Sequence, residues 1–251
     1  MSISVIQKIP NTEIPKRGGS ALTITTSVPD VPITVGSYSF AFHAQHYNPS
    51  ELPVFSDSGG NTWERIISYA NGNDIVSIGR CKVVTGGNII ITATLGIASY
   101  QTMGVIEVSS DADLTVTDTA TGSGSSTTPA TAQLDATGAQ LYLGVINWPV
   151  GGLTVTPPSG WTEIHKDETY TDTCHDSAYL IDSGNKTPTW ALSSSVAWVA
   201  VSVALAESIV TDVYSGKGIG RGIGRGIMRM VKDKSGLFLP EKKILVPGWA
   251  M

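Results

Sequence analysis

Asp57, Asn61 and Trp63 lie close together in the segment SDSGGNTW, and their types allow two roles. A carboxylate and a carboxamide supply hard oxygen ligands of the kind calcium takes, and an indole supplies a face for a sugar ring. The same three residues also suit a turn. Asp57 and Asn61 would then bond nearby backbone groups while Trp63 packs in the core. The turn is the reading we favour from the sequence, with a glycan or ion site as the alternative.

Other groupings are weaker. His43 and His46 share an H-x-x-H spacing, but strand residues three apart face opposite sides and do not chelate one metal without a bend. Zinc would also need further ligands. Cys174, His175 and Asp176 place a thiol, an imidazole and a carboxylate in succession, the raw material of a Cys/His nucleophile. No oxyanion motif accompanies them. Glu163, Asp167, Glu168, Asp172 and Asp176 form an acidic stretch around Tyr170. Paired carboxylates serve glycoside hydrolysis, but a solvated loop is the simpler expectation, and such a loop would also accept a basic arm. No catalytic residue, metal ligand set or cofactor is assigned, and the chain is expected not to be an enzyme.

The strongest pattern is in the last 36 residues. Lys217, Arg221, Arg225 and Arg229 recur at every fourth position, with Ile219, Ile223, Ile227 and Val231 midway between them. Residues 216–251 carry eight basic and two acidic side chains, a net of +6; the whole chain is −5, so residues 1–215 carry −11. In a helix, Gly218, Gly220, Gly222, Gly224 and Gly226 would each cost about 1 kcal/mol, so an extended or irregular arm is expected. Extended, the Lys, Arg and Ile residues share one side and glycine fills the other, which lets a foreign backbone approach closely. Farther on, Phe238, Leu245 and Trp249 belong to short apolar runs that would be sticky in water.

Three classes of partner suit a basic arm: protein, nucleic acid and a membrane surface. Phosphate tracking needs charge but not interleaved isoleucines, and an acidic body repels a polyanion. Five alternating glycines oppose an amphipathic helix. A protein partner is expected, without nucleic acid or membrane.

The body that precedes the arm is strand-like. Charged residues make up 15% and aromatics 7% of the chain, with abundant Thr, Val and Ile, a composition that favours strands. At 251 residues the chain can bury a core without staples. Cys81 and Cys174 are expected to be free thiols. The N-terminus lacks a basic region followed by an apolar one, and no apolar run is long enough to span a bilayer, so a soluble, cytoplasmically made chain is expected.

About ten short alternating segments, among them PITVGSYSFAFHAQHY, TWERIISYA, DIVSIGRCKVV, NIIITATLG and QTMGVIEVS, are separated by Gly, Asn, Asp and Pro turns. That spacing predicts an antiparallel β-sandwich. Residues 1–19 read as a lead segment in which ISVIQKI would pair as a strand, 20–210 as the sandwich and 211–251 as the arm. Residues 119–132 read as a Ser/Thr/Gly loop or a weak exposed edge. The run 196–206, apolar on both faces, reads as a central covered strand.

The body also resembles a family of phage and secreted-bacterial β-sandwich modules of the lectin-like jelly-roll kind. The likeness rests on the Asp-x-x-Gly-Asn-x-Trp turn (Asp57, Gly60, Asn61, Trp63), a strand carrying Ile106, Glu107 and Ser109, the Pro158, Gly160, Trp161, Thr162 turn and a closing strand with Trp198. It spans about residues 30–206 and departs after Ser109, where the family's usual glycine is Ser110. The resemblance implies an all-β jelly roll and a virion structural protein without catalytic residues. The expected task is capsid decoration, or cement, with the major capsid protein or another virion protein as partner and trimeric self-association. A tail-fibre, baseplate or head-fibre module binding host-surface carbohydrate is the alternative.

Overall fold

The computed structural model describes residues 3–9, 21–47, 50–135, 138, 140–169 and 172–208, with the backbone of 230–232 and 238–240. The chain divides into two units, 1–208 and 209–251. In the first unit every strand pairing is antiparallel and no described residue is helical.

One sheet contains β1 (Ser4–Ile9), β3 (Tyr38–His46), β5 (Trp63–Asn71), β6 (Asp74–Lys82) and β7 (Ile91–Ser109) in the order β1-β7-β3-β6-β5, with β2 (Ala21–Thr25) and β4 (Val54–Asp57) also pairing with β7. The other contains β8 (Leu114–Ser126), β9 (Leu141–Trp148), β11 (Thr162–Asp167), β12 (Cys174–Ile181) and β14 (Val196–Glu207) in the order β11-β12-β9-β14-β8. A two-stranded pair joins β10 (Val155–Thr156) to β13 (Ala191–Leu192).

Period-2 alternation builds the central layer. Tyr38, Phe40, Phe42 and Ile106 from the first sheet meet Leu141, Leu143, Val145, Val201 and Val203 from the second. Each such side chain, when fully buried, contributes about 1.5–3 kcal/mol of apolar transfer. The opposite faces are covered too. Ala41, Cys81, Met103 and Val105 pack under Ile24, Phe55, Ile91 and Ala93, which come from β2, β4 and the first half of β7. On the second sheet, Ile146, Trp148, Cys174, Trp198 and Ala200 pack under Val155, Trp190 and Leu192. Cys81 and Cys174 are buried and lie in separate outer clusters, so they do not pair with each other.

Several sequence expectations are refined. Ser4–Ile9 pairs with Val105–Ser109, so the lead strand is part of the sandwich. NIIITATLG and QTMGVIEVS are halves of one 19-residue strand, whose first half pairs with β2 and β4 and whose second half pairs with β1 and β3. Residues 119–126 belong to β8, an edge strand aligned along β14. β14 lies between β8 and β9, covered on both faces as the double-sided apolar run predicts.

The jelly-roll wrap does not match the strand order. A jelly roll carries successive strands alternately between its sheets, whereas here the chain completes one sheet and crosses to the other between β7 and β8. Hairpins as tight as β5–β6 keep neighbours in the same sheet. Its two-residue loop opens on Gly72 at φ 61°, as a type II′ turn requires.

The two sheets repeat one plan. Taken in chain order, β1, β3, β5, β6 and β7 occupy the same relative places as β8, β9, β11, β12 and β14. Irregularities recur at matching positions. A bulge at Ile66 follows Trp63 by three residues, and a bulge at Ile164 follows Trp161 by three. A second pair of bulges falls at Ile6, opposite Val108 and Glu107, and at Thr117, opposite Leu205 and Ala204. Bulges are specific features of a strand pair, so two coincident bulges within one shared order mark an internal repeat.

Candidate functional site

The Asp57 turn is held by a closed set of hydrogen bonds. Asp57 Oδ1 accepts from the backbone N–H groups of Gly59 (2.9 Å) and Asn61 (3.1 Å), and Oδ2 accepts from Asn61 Nδ2 (3.1 Å) and Trp63 Nε1 (2.7 Å). Asn61 Oδ1 accepts from the N–H groups of Val84 and Thr85, both at 2.8 Å, and its Nδ2 also donates to Thr85 O at 3.0 Å. A carboxylate has about four lone-pair sites and a carboxamide about two plus two donors; all are used. Trp63 is half-buried and lies against Phe55 in a tilted arrangement, with ring centres 6.0 Å apart. The turn therefore clasps the β4–β5 connection to the loop after β6. A calcium ion or sugar hydroxyl would have to break these bonds, so the geometry is that of the turn reading.

The histidines separate as their spacing suggests. His43 is fully buried with Nε2 2.9 Å from Gln101 Oε1, and burial pushes its imidazole down to about 4. His46 Nδ1 meets Asp74 Oδ1 at 2.7 Å. Among the described residues no group of three or more His, Cys, Asp or Glu side chains is arranged to hold a metal.

Cys174 and His175 also part company, because adjacent strand residues face opposite sides. Cys174 lies in the outer cluster with Trp148 and Trp190. His175 faces the first sheet, with Nδ1 3.4 Å from Thr102 Oγ1 and its ring 5.4 Å from that of His165. Burial, then His165 and His43, hold the His175 imidazole well below its ordinary range. This geometry gives no thiolate–imidazole pair.

The acidic stretch is largely engaged close to home. Lys166 lies 3.4 Å from Glu163 and 3.7 Å from Glu168, and Glu168 also accepts the Val155 N–H at 2.6 Å. Asp167 accepts from the backbone and hydroxyl of Thr169, and Asp172 from the Tyr47 hydroxyl. Asp176 is fully buried; Oδ2 accepts from Trp190 Nε1 at 2.8 Å while Oδ1 has no partner among the described residues. Burial, reinforced by Glu163, pushes its carboxyl up to about 7.

Glu107 and Glu207 are further buried carboxylates that the sequence does not mark as sites. Glu107 accepts from Gln7 Nε2 (2.6 Å), Thr34 N (2.7 Å) and Ser37 Oγ (2.8 Å), and so anchors β1 and the loop before β3. Glu207 accepts from Ser110 Oγ (2.8 Å) and Asp111 N (3.0 Å). Each interrupts an apolar run near the C-terminal end of a long strand, the one sequence signal that marked them.

The arm residues Lys217, Ile219, Arg221, Ile223, Arg225, Ile227, Arg229, Leu245 and Trp249 lie outside the described residues. Phe238 falls in β16 (Phe238–Pro240), whose backbone pairs antiparallel with β15 (Met230–Lys232).

The fold and site thus define an all-β sandwich with internally satisfied polar turns. Comparison with protein-family models, curated proteins and solved structures finds no match to this chain.

Proposed function

We propose that the protein is a bacteriophage virion structural protein, in which the sandwich is displayed on the particle and residues 216–251 attach it to a neighbouring virion protein. The observation that carries this reading is the charge split: +6 over residues 216–251 against −11 over residues 1–215, with isoleucine and glycine spaced between the basic residues. Such a segment gains from apolar burial while charge sets register and choice of partner. Capsid decoration is the form favoured, with the major capsid protein as acceptor. The saturated Asp57–Asn61–Trp63 turn speaks against that turn as a glycan site.

Removal of residues 216–251 tests the proposal. The truncated protein should remain folded by circular dichroism and lose occupancy on phage particles. Unchanged occupancy would overturn it, and selective binding on a glycan array would instead favour the carbohydrate-binding fibre module.

A further inference from the structure

The internal repeat singles out four neighbouring positions where the second sheet departs from the first. Ala44 opposes Val76 in the first sheet, and Asn147 opposes His175 at the matching place in the second. Ile67 opposes Ile78 just past its bulge, and His165 opposes Ser177 just past the equivalent one. Four apolar positions, Ala44, Val76, Ile67 and Ile78, thus become Asn147, His175, His165 and Ser177 on the inner face.

These polar groups are poorly provided for. His165 Nε2, His175 Nε2 and Asn147 Oδ1 are buried without a partner among the described residues. On strand β7 His165 packs against Gly104, where an added Cβ would lie 2.5 Å from the His165 Cβ. Toward His175 the same strand offers the Thr102 hydroxyl. Nearby titratable groups include His43 on β3, Asp167, opposite His175 on β11, Glu163 and Lys166 on the same strand as His165, and Lys8 on β1, which donates to the Glu163 carbonyl. Asp74, the acid on β6, is taken by Asn147 Nδ2 at 3.3 Å and by His46.

We propose that His165 and His175 form an acid-triggered latch: their protonation separates the β11–β12 side of the second sheet from β7. The closed arrangement holds both rings neutral, because a proton on Nε2 of either ring would meet no acceptor among the described residues and two charged rings would repel at ring contact. In an opened arrangement each ring recovers its ordinary affinity for protons. Below about pH 6.5 the ratio of open to closed therefore rises by up to tenfold per pH unit for each histidine, roughly a hundredfold for both. Asp176, on the opposite face of β12, works against this, since the closed state favours its protonated form. Asp167, raised by burial, acts in the same sense. The histidine share must accordingly be read as a difference between proteins.

The repeat supplies the replacements: His165→Ile and His175→Val install the residues found at the equivalent positions. Amide hydrogen exchange of the full chain, corrected for intrinsic rate, would be followed from about pH 7.5 to 5. Wild-type protection in β11 and β12 should fall more than tenfold relative to β5 and β6, and the double variant should lose most of that difference. His43 is present in both proteins, so its contribution cancels. Equal loss in the variant, or wild-type protection in β11 and β12 that tracks β5 and β6, would overturn the latch. The latter comparison needs only the wild type, so it decides the matter even where the double variant fails to fold.

Discussion

Trp63 donates its indole N–H to Asp57 Oδ2 across 2.7 Å, while Asp57 Oδ1 gathers two backbone N–H groups of the same turn. A single carboxylate thereby fixes the entry angle of β5 and the packing of Trp63 on Phe55. Trp161, at the matching place in the second sheet, follows Pro157, Pro158, Ser159 and Gly160 and has no such carboxylate. There the turn is closed by a backbone bond from Trp161 N to Pro158 O at 2.9 Å.

Asp57→Asn should accordingly cost stability without changing the fold. Whichever way the amide is oriented, its NH2 faces donors that Asp57 now satisfies, and hydrogen bonds to charged groups are worth about 1.5–3 kcal/mol each. We expect a loss of about 2–4 kcal/mol in urea unfolding. A loss below about 0.5 kcal/mol would show that the carboxylate is dispensable, and calcium should not stabilise the wild type.

The glycine-rich edge makes the second case. Gly122 in β8 lies beneath the loop that follows the strand: a Cβ there would stand 2.0 Å from the Ala130 carbonyl oxygen. That atom is backbone and cannot rotate away. Overpacking of a fixed contact costs about 1–3 kcal/mol, so Gly122→Ala should lower the unfolding free energy by about 3 kcal/mol. Thr121→Ala, at an exposed neighbour, should change it by less than about 0.5 kcal/mol. Equal effects from the two substitutions would contradict this packing.

These examples show which features the sequence exposes. Strands such as Tyr38–His46 and Val196–Glu207 are legible because period-2 alternation, or apolarity on both faces, is a direct consequence of which sides are buried. The Gly122 region is not, because glycine at a close approach and glycine in a loose loop look alike until the crossing segment is placed. The continuity of β7 is hidden for a related reason: an extended backbone that passes from β2 at Ser99 to β3 at Tyr100 carries the same residues as two strands with a break. The internal repeat escapes notice because its equivalent residues differ in type, Val76 against His175 and Ile67 against His165, while the evidence for it lies in strand order and bulges. The Asp57 turn was readable because its residues are close in sequence. The inter-sheet histidines and the buried Glu107 and Glu207 depend on register between strands far apart in the chain.

The buried Asp176 gives a prediction whose sign can be worked out. Its carboxyl titrates at about 7 in the folded protein against an ordinary value of 3.8, owing first to burial and then to Glu163. The folded state thus holds this proton more tightly than the unfolded one. Its contribution to stability is full below about pH 4 and is lost as pH rises through 7. Asp176→Asn keeps an acceptor for the Trp190 N–H and removes the titration. Relative to wild type, the variant should therefore gain about 2 kcal/mol between pH 5 and pH 8, an order-of-magnitude figure from roughly 1.4 kcal/mol per pKa unit. Urea unfolding at both pH values supplies the comparison, and a variant-minus-wild-type difference that stays constant would mean that Asp176 is already ionised throughout that range.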